Sequence, residues 1–334
     1  MSKNSRILKK ARAELRSGTR PVAQAKGPAD VLAMIPYLVG FPPFESIVVL
    51  ALEGPRKRFG PCIRMDLVDA DDAATQADYL ASVVAHHQFG PVIIVAYSED
   101  SDKAAAVVEP LQSRLAGAGV SIVELMRADG RRWWSYQCGN GSCCDPRGNF
   151  YDADSSSMAA TAVLAGMSKA ASRDDLRACF EPGDESLRAQ VAQTCAALEP
   201  RRQPPDLDRL LDAALNTRGP LTVEQLAVLA TAVQPIPARD VAWSVMNREN
   251  AAEHLQLWAQ VTRVAPDRLL PAVGSLAGFA AWLSGSGVLA SHAAERVERV
   301  DPTYSMNRLL IRCLEMTVNP REWESSRGGL RAVR

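Results

Sequence analysis

The sequence predicts an α/β domain followed by an all-α domain, and three observations carry that reading. Before about residue 150, short β-branched runs alternate with helical patterns. From Ser155 onward the alternation stops, and helical windows follow one another with Pro or Gly at the joints. Between the two lies WWSYQCGNGSCCDPRGNFYD, Trp133 to Asp152, a dense turn signal holding three of the seven cysteines. A chain of 334 residues also exceeds what one hydrophobic core usually holds.

The α/β part begins at Pro28, which suits the first turn of a helix over Ala29–Ile35. Asp30 complements its N-terminus, and Pro36 is expected to end it by forcing Ile35 out of the helical region. GFPPFES, Gly40 to Ser46, is a rigid turn feeding IVVLAL, Ile47–Leu52. That run is continuously apolar and β-branched, as a buried strand is. CIRMDLV, Cys62–Val68, alternates and reads as its antiparallel partner. Asp71 or Asp72 then caps a helix with Ala73, Ala77, Leu80 and Val84 on one face. Gly90-Pro91 stops it before VIIVAY, Val92–Tyr97. A second amphipathic helix carries Ala104, Val108, Leu111 and Leu115, and SIVELMRA, Ser121–Ala128, is the next strand. Asp129-Gly130 turns the chain back through Arg131–Tyr136. The expected result is a mixed, mostly parallel five-stranded sheet with helices packed on it.

The second domain reads as ten helical windows: 155–167, 172–179, 184–198, 205–216, 222–233, 238–248, 251–264, 270–283, 286–299 and 304–317. Short joints imply antiparallel neighbours. Ala281 to Leu310 contains a small-residue turn, Ala290 and Ala294 at helical spacing, and Asp301-Pro302-x-Tyr304. It is similar to one tetratricopeptide-type helix pair. The domains are therefore expected at 28–150 and 151–323, between a disordered basic tail at 1–27 and a C-terminal tail at 324–334.

Charge divides along the chain. Residues 1–27 hold eight basic side chains against Glu14, a net +7, and with a total of zero the remainder carries −7. An acidic body argues against a nucleic-acid-binding body, so nucleic acid would be met only through residues 1–27. No run of about 18 apolar residues is present, so no membrane span is expected. The N-terminus lacks the apolar segment of a secretory signal. The seven cysteines are odd in number and scattered through a long chain, three of them in helical patterns. That suits reduced thiols and a cytoplasmic protein.

PADVLAMIPYLVGFPPFESIVVLAL, the RMDL run, RWWSYQC followed by a Cys-Cys pair, and SGSGVLASHAAERVERVDPTYSMNRLL occur in that order. Together they resemble an actinobacterial and actinophage family of uncharacterised proteins, the domain of unknown function 4192. The resemblance spans nearly everything after residue 27 and implies no particular chemistry. The family pattern has Pro directly after the Cys-Cys pair, whereas Asp145 here precedes Pro146.

Two places are candidates for a site. The first is a pocket at the domain junction formed by Trp133, Trp134, Tyr136, Cys138, Cys143, Cys144, Arg64 and Asp66. The two tryptophans point to opposite faces of their strand, with Tyr136 on the side of Trp134. Arg64 and Asp66 likewise share a face. Cys138, Cys143 and Cys144 form C-x4-C-C, a weak zinc signal. A tetrahedral site wants four ligands, so His86 or His87 would have to complete it. A reversible disulfide and a reduced, packed turn are the other readings, and the reduced turn is favoured.

The second candidate is the acidic group Asp69, Asp71, Asp72, Glu99 and Asp100, at the carboxyl ends of strands where α/β sheets bind ligands. It would gather around magnesium if the strands are adjacent, though helix capping alone explains such residues. No cofactor is expected. The chain has no Walker loop, no G-x-G-x-x-G after a strand, no G-x-S-x-G and no H-E-x-x-H. The first functional reading is a non-enzymatic binding or scaffold protein that meets a protein partner through its helical domain. The alternatives are an enzyme with its site at the junction and a nucleic-acid accessory protein acting through the basic arm.

Overall fold

The computed structural model describes residues 24–141, 144–165, 167–198, 206–217, 219–321 and 323. The chain divides into two compact units, one running to Ala171 and the other from Ser172. Most of the expected basic tail, residues 1–23, and the expected C-terminal tail, 324–334, lie outside the described residues.

The first unit contains helix α1 (Pro28–Val39), strands β1 (Ser46–Glu53) and β2 (Arg58–Asp66), α2 (Ala70–His86), β3 (Val92–Tyr97), α3 (Ser101–Gly117), β4 (Ile122–Ala128), β5 (Arg132–Ser135), β6 (Asn149–Phe150) and α4 (Ser157–Leu164). The sheet has six strands in the order β2-β1-β3-β4-β5-β6. Only β3 and β4 are parallel neighbours, and every other adjacent pair is antiparallel. The expected mostly parallel, five-stranded sheet is thus corrected to a six-stranded mixed one.

The reason lies in burial. β2, β3 and β4 do run the same way, as two helical crossovers require, but β1 inserts between β2 and β3. β1 is apolar from Ile47 to Leu52 and buried on both faces there, so it needs a neighbour on each edge. β2 is only half-buried and takes the sheet edge. β6 is two residues long, too short to leave a periodic signal.

The crossovers β2-α2-β3 and β3-α3-β4 advance in one direction across the sheet, which sets both helices on the same face. Ala77, Leu80 and Val84 of α2 and Val108, Leu111 and Leu115 of α3 share one core with Ile47, Val49, Ile94 and Leu125 of the sheet. On the other face Val48, Leu50, Val95 and Met126 are buried as well. There α1 packs against β2 and α4, with Ala33 and Met34 meeting Met158 and Ala162. The helix α4, expected in the second domain, lies within the first unit.

Pro36 does not end α1. The helix runs on to Val39 because Val31, Leu32, Ile35, Pro36 and Val39 are all buried, and burial outweighs the local preference of the residue before Pro. Gly40, in the left-handed region at φ 96°, closes the helix by donating its N–H to the Pro36 carbonyl.

The second unit is helical: α5 (Arg173–Arg177), α6 (Glu185–Leu198), α7 (Leu207–Leu215), α8 (Val223–Ala232), α9 (Ile236–Ser244), α10 (Ala251–Val264), α11 (Leu270–Leu283), α12 (Gly287–Glu298) and α13 (Ser305–Glu315). Each of the ten helical windows read from the sequence, the one for α4 included, overlaps one helix, though α9 begins at Ile236, ahead of its window at 238–248. Side chains of Ser156, Ser172, Asp206, Thr222 and Ser286 accept first-turn N–H groups, as the sequence signals for helix starts demand. Pro237, which reads as a joint in sequence, sits in the first turn of α9, where its missing N–H is harmless.

All fourteen residues of α11 are buried, so this helix is the axis of the unit. α10, α12 and α13 pack around it. Gly274 and Gly278 let it approach closely, since a Cβ there would overlap the side chains of Val297 and Leu310. No helix among the described residues is long and apolar enough to cross a membrane.

Candidate functional site

The strand ends come first, because α/β sheets gather their chemistry there. Asp69 precedes α2 and Asp71 and Asp72 lie in its first turn, whereas Ser98, Glu99 and Asp100 lead into α3. The N-cap position of α2 falls on Asp69, not on Asp71 or Asp72, and no side-chain cap bond is made there. β1 separates β2 from β3, so the two acidic groups do not share adjacent strands.

What lies between them is a cation of the chain itself. Lys103 Nζ stands 3.3 Å from Glu45 and 3.4 Å from Asp69. Its hydrogen bond to Glu45, ahead of the one to Asp69, raises its pKa. Glu45 occupies the left-handed region at φ 40° while its carbonyl accepts the Leu67 N–H at 2.8 Å. That contact fixes the start of β1 beside the end of β2. The Ser98 hydroxyl donates to Glu45 Oε1 at 2.7 Å. Asp100 accepts the N–H groups of Asp102 and Lys103, at 2.8 and 3.1 Å, and these bonds lower its pKa. It is the cap of α3.

The Trp–Cys stretch is organised by stacking. The β4–β5 register pairs Trp134 with Arg127 and Trp133 with Ala128. The Arg127 guanidinium lies 3.7 Å from the centroid of the Trp134 ring and donates to the carbonyls of Ser98 and Glu99, at 3.0 and 3.2 Å. Trp134 Nε1 donates to the Pro146 carbonyl at 3.2 Å, and Gly148 lets the chain cross against the ring, where a Cβ would overlap it. Tyr136 packs on the α2–α3 core.

Arg64 lies on the opposite face, where its register partners are Val48 and then Val95. It donates to the buried Ser46 hydroxyl from Nε and Nη2, at 2.9 and 2.7 Å. It also pairs with Asp66 and stacks 5.5 Å from the Phe41 ring. The junction candidates therefore divide: Trp134 and Tyr136 on the helix α2–α3 side, Trp133, Arg64 and Asp66 on the other.

The N–H groups of Cys138 and Cys144 donate to Ser135 Oγ and to the Asn140 carbonyl, at 3.1 and 2.8 Å. Cys143 lies outside the described residues. Among the described residues no three His, Cys, Asp or Glu side chains converge as a metal ion would require. His86 and His87 stack edge to face with each other, and His87 stacks on Phe89. Burial pushes the Cys62 thiol up to about 12.

The second unit holds a group of side chains that the sequence reading passed over. Trp243 of α9, Phe279 and Trp282 of α11, and Trp323 beyond α13 form one aromatic cluster. Trp243 lies 4.9 Å from Phe279 and 5.3 Å from Trp323, and Trp282 lies 5.8 Å from Trp323. Phe279 and Trp282 stand at helical i, i+3 spacing, a visible signal. Trp243 and Trp323 come from distant segments and join only by folding. Glu45, Lys103 and Arg127 were passed over for the same reason.

A family model described as Domain of unknown function (DUF4192) matches residues 28–321. The chain belongs to that family. Searches of curated proteins and of solved structures found no match. The family span takes in both units, including Trp243, Phe279 and Trp282, and stops two residues short of Trp323.

Proposed function

We propose that this member of the family is a non-enzymatic, cytoplasmic binding or scaffold protein that meets a protein partner through its helical unit. One observation carries the reading: two helices linked by a hydrogen bond present apolar side chains to solvent. Ile236 and Val241 of α9 are 60% and 40% exposed, and Leu309 and Met316, on and just after α13, are 38% and 62% exposed. Arg239 of α9 links the two, its Nη1 donating to the hydroxyl of Tyr304, the cap residue of α13, at 3.0 Å. Exposed apolar groups rimmed by polar ones suit a protein interface. The tetratricopeptide-like pattern over Ala281–Leu310 covers the end of α11, all of α12 and the first half of α13, and it supports the same reading. In the first unit the polar groups Arg64, Lys103, Arg127 and Asp100 are each engaged in holding strand and helix ends.

A pull-down from native lysate tests it, with three baits: the full chain, a chain lacking residues 1–27, and Ile236→Glu/Leu309→Glu. The expected result is one partner retained by the first two and lost from the third, whose circular dichroism stays unchanged. Capture that disappears only with residues 1–27, and only when nuclease is omitted, would replace this reading by polyanion binding through the basic arm.

A further inference from the structure

The chain reverses direction at the end of α13. Thr317 sits in the left-handed region at φ 49°, its N–H donating to the Leu314 carbonyl at 3.0 Å and the Val318 N–H donating to that of Cys313 at 2.9 Å. This is the hydrogen-bond pattern of a Schellman turn, whose left-handed position normally belongs to Gly. A β-branched residue there is strained. The turn sends Val318 and Trp323 back to pack against the core of the helical unit. Trp323 then rests on rings from two helices, Trp243 of α9 and Phe279 and Trp282 of α11. The walls of that cleft lie within the family span, and the ring that fills it lies just beyond. In one wall the indole N–H of Trp243 is buried without a hydrogen-bond partner.

We infer that the aromatic cleft between α9 and α11 is a docking site for a protein segment presenting a tryptophan, and that residues 317–323 are a releasable strap occupying it in cis. The inference rests on the proposed binding function and names its chemistry. A flat apolar ring fits where Trp323 now lies, and a backbone carbonyl beside it would satisfy the Trp243 N–H. Tryptophan in such a cleft is a common energetic anchor of interfaces. Because the strap is tethered, its effective concentration is roughly millimolar, so it excludes weak ligands and yields to strong ones.

Fluorescence anisotropy of a labelled peptide of residues 317–323 decides the matter. The peptide is titrated with the full chain, with a chain ending at Met316, and with the full-length Trp323→Ala variant. The last two should bind it at least about tenfold more tightly than the full chain. Adding Trp243→Ala to either should abolish the gain, as should Trp323→Ala in the peptide. Equal affinity for all three proteins, or no binding to folded variants, overturns the inference. Loss of the fold in both variants overturns it too, because a segment that cannot leave is part of the core. A full-chain dimer that dissolves in Trp323→Ala assigns the strap to a second copy instead. Peptide binding that survives Ile236→Glu/Leu309→Glu while the lysate partner is lost separates this cleft from the surface of the proposed function.

Discussion

The two units hold their defining side chains by opposite means. At the strand ends of the first, charged groups are held by polar partners: Lys103 to Glu45 and Asp69 at the surface, the largely buried Arg64 to Ser46 and Asp66, Arg127 to backbone carbonyls and the Trp134 face. In the second, rings and small residues surround α11, a helix with no exposed position. Charges in solvent are worth little to stability, whereas a buried ring removed leaves a cavity. The polar contacts at the strand ends are therefore the less costly to disturb. The wholly buried helix α11 carries the fold of the helical unit.

The contrast is broken most forcefully by Phe279→Ala. It empties the centre of the aromatic cluster and should cost the helical unit about 3–5 kcal/mol in chemical denaturation. Acid should also act on this unit. His254 and His292 are buried, and burial pulls both below the ordinary histidine range. For His292, Glu295 opposes the shift while Arg173 and Arg177 add to it. The unfolded chain then binds protons that the folded unit does not. Stability is full above about pH 6.5 and falls as the pH drops through that value toward the folded pKa. A melting-temperature series from pH 8 to 5 should show this decline, and His254→Asn/His292→Asn should flatten it.

In the first unit, Arg64→Leu leaves the buried Ser46 hydroxyl short of its donor. It should cost about 1–3 kcal/mol, less than the loss of Phe279. Thr317→Gly should raise the unfolding free energy of the helical unit by about 1 kcal/mol, since Gly meets the left-handed turn without strain. The smallest change belongs to Lys103→Met. Its effect should shrink further in 1 M salt, as surface pairs do, and denaturation at two ionic strengths measures it. A Lys103 loss exceeding that of Phe279 would reverse the comparison.

Legibility followed the range of the interactions. Helix α11 was visible because Leu270–Leu283 is apolar on every side, and the Asp129-Gly130 hairpin because two adjacent residues specify it. Strand order was not visible. The alternation of strands and helices from Cys62 onward does place β2, β3 and β4 parallel, yet nothing local says that β1 enters between the first two. The Trp–Cys stretch announced itself by composition, while its partner Arg127 read only as one position in an alternating strand. Likewise Pro36 is locally a helix terminator and is overruled by the burial of the residues around it.

By itself, the sequence determined the helical windows, the principal strands, the family and the uneven charge, because each depends on neighbours within one or two turns or on a count. Tertiary structure alone decided the antiparallel insertion of β1 and the lysine set between two carboxylates. It also decided the meeting of Trp243, Phe279, Trp282 and Trp323. Those contacts join residues tens of positions apart. Which of them form is fixed by how apolar surface is most fully removed from water across a whole unit, and no local pattern records that choice.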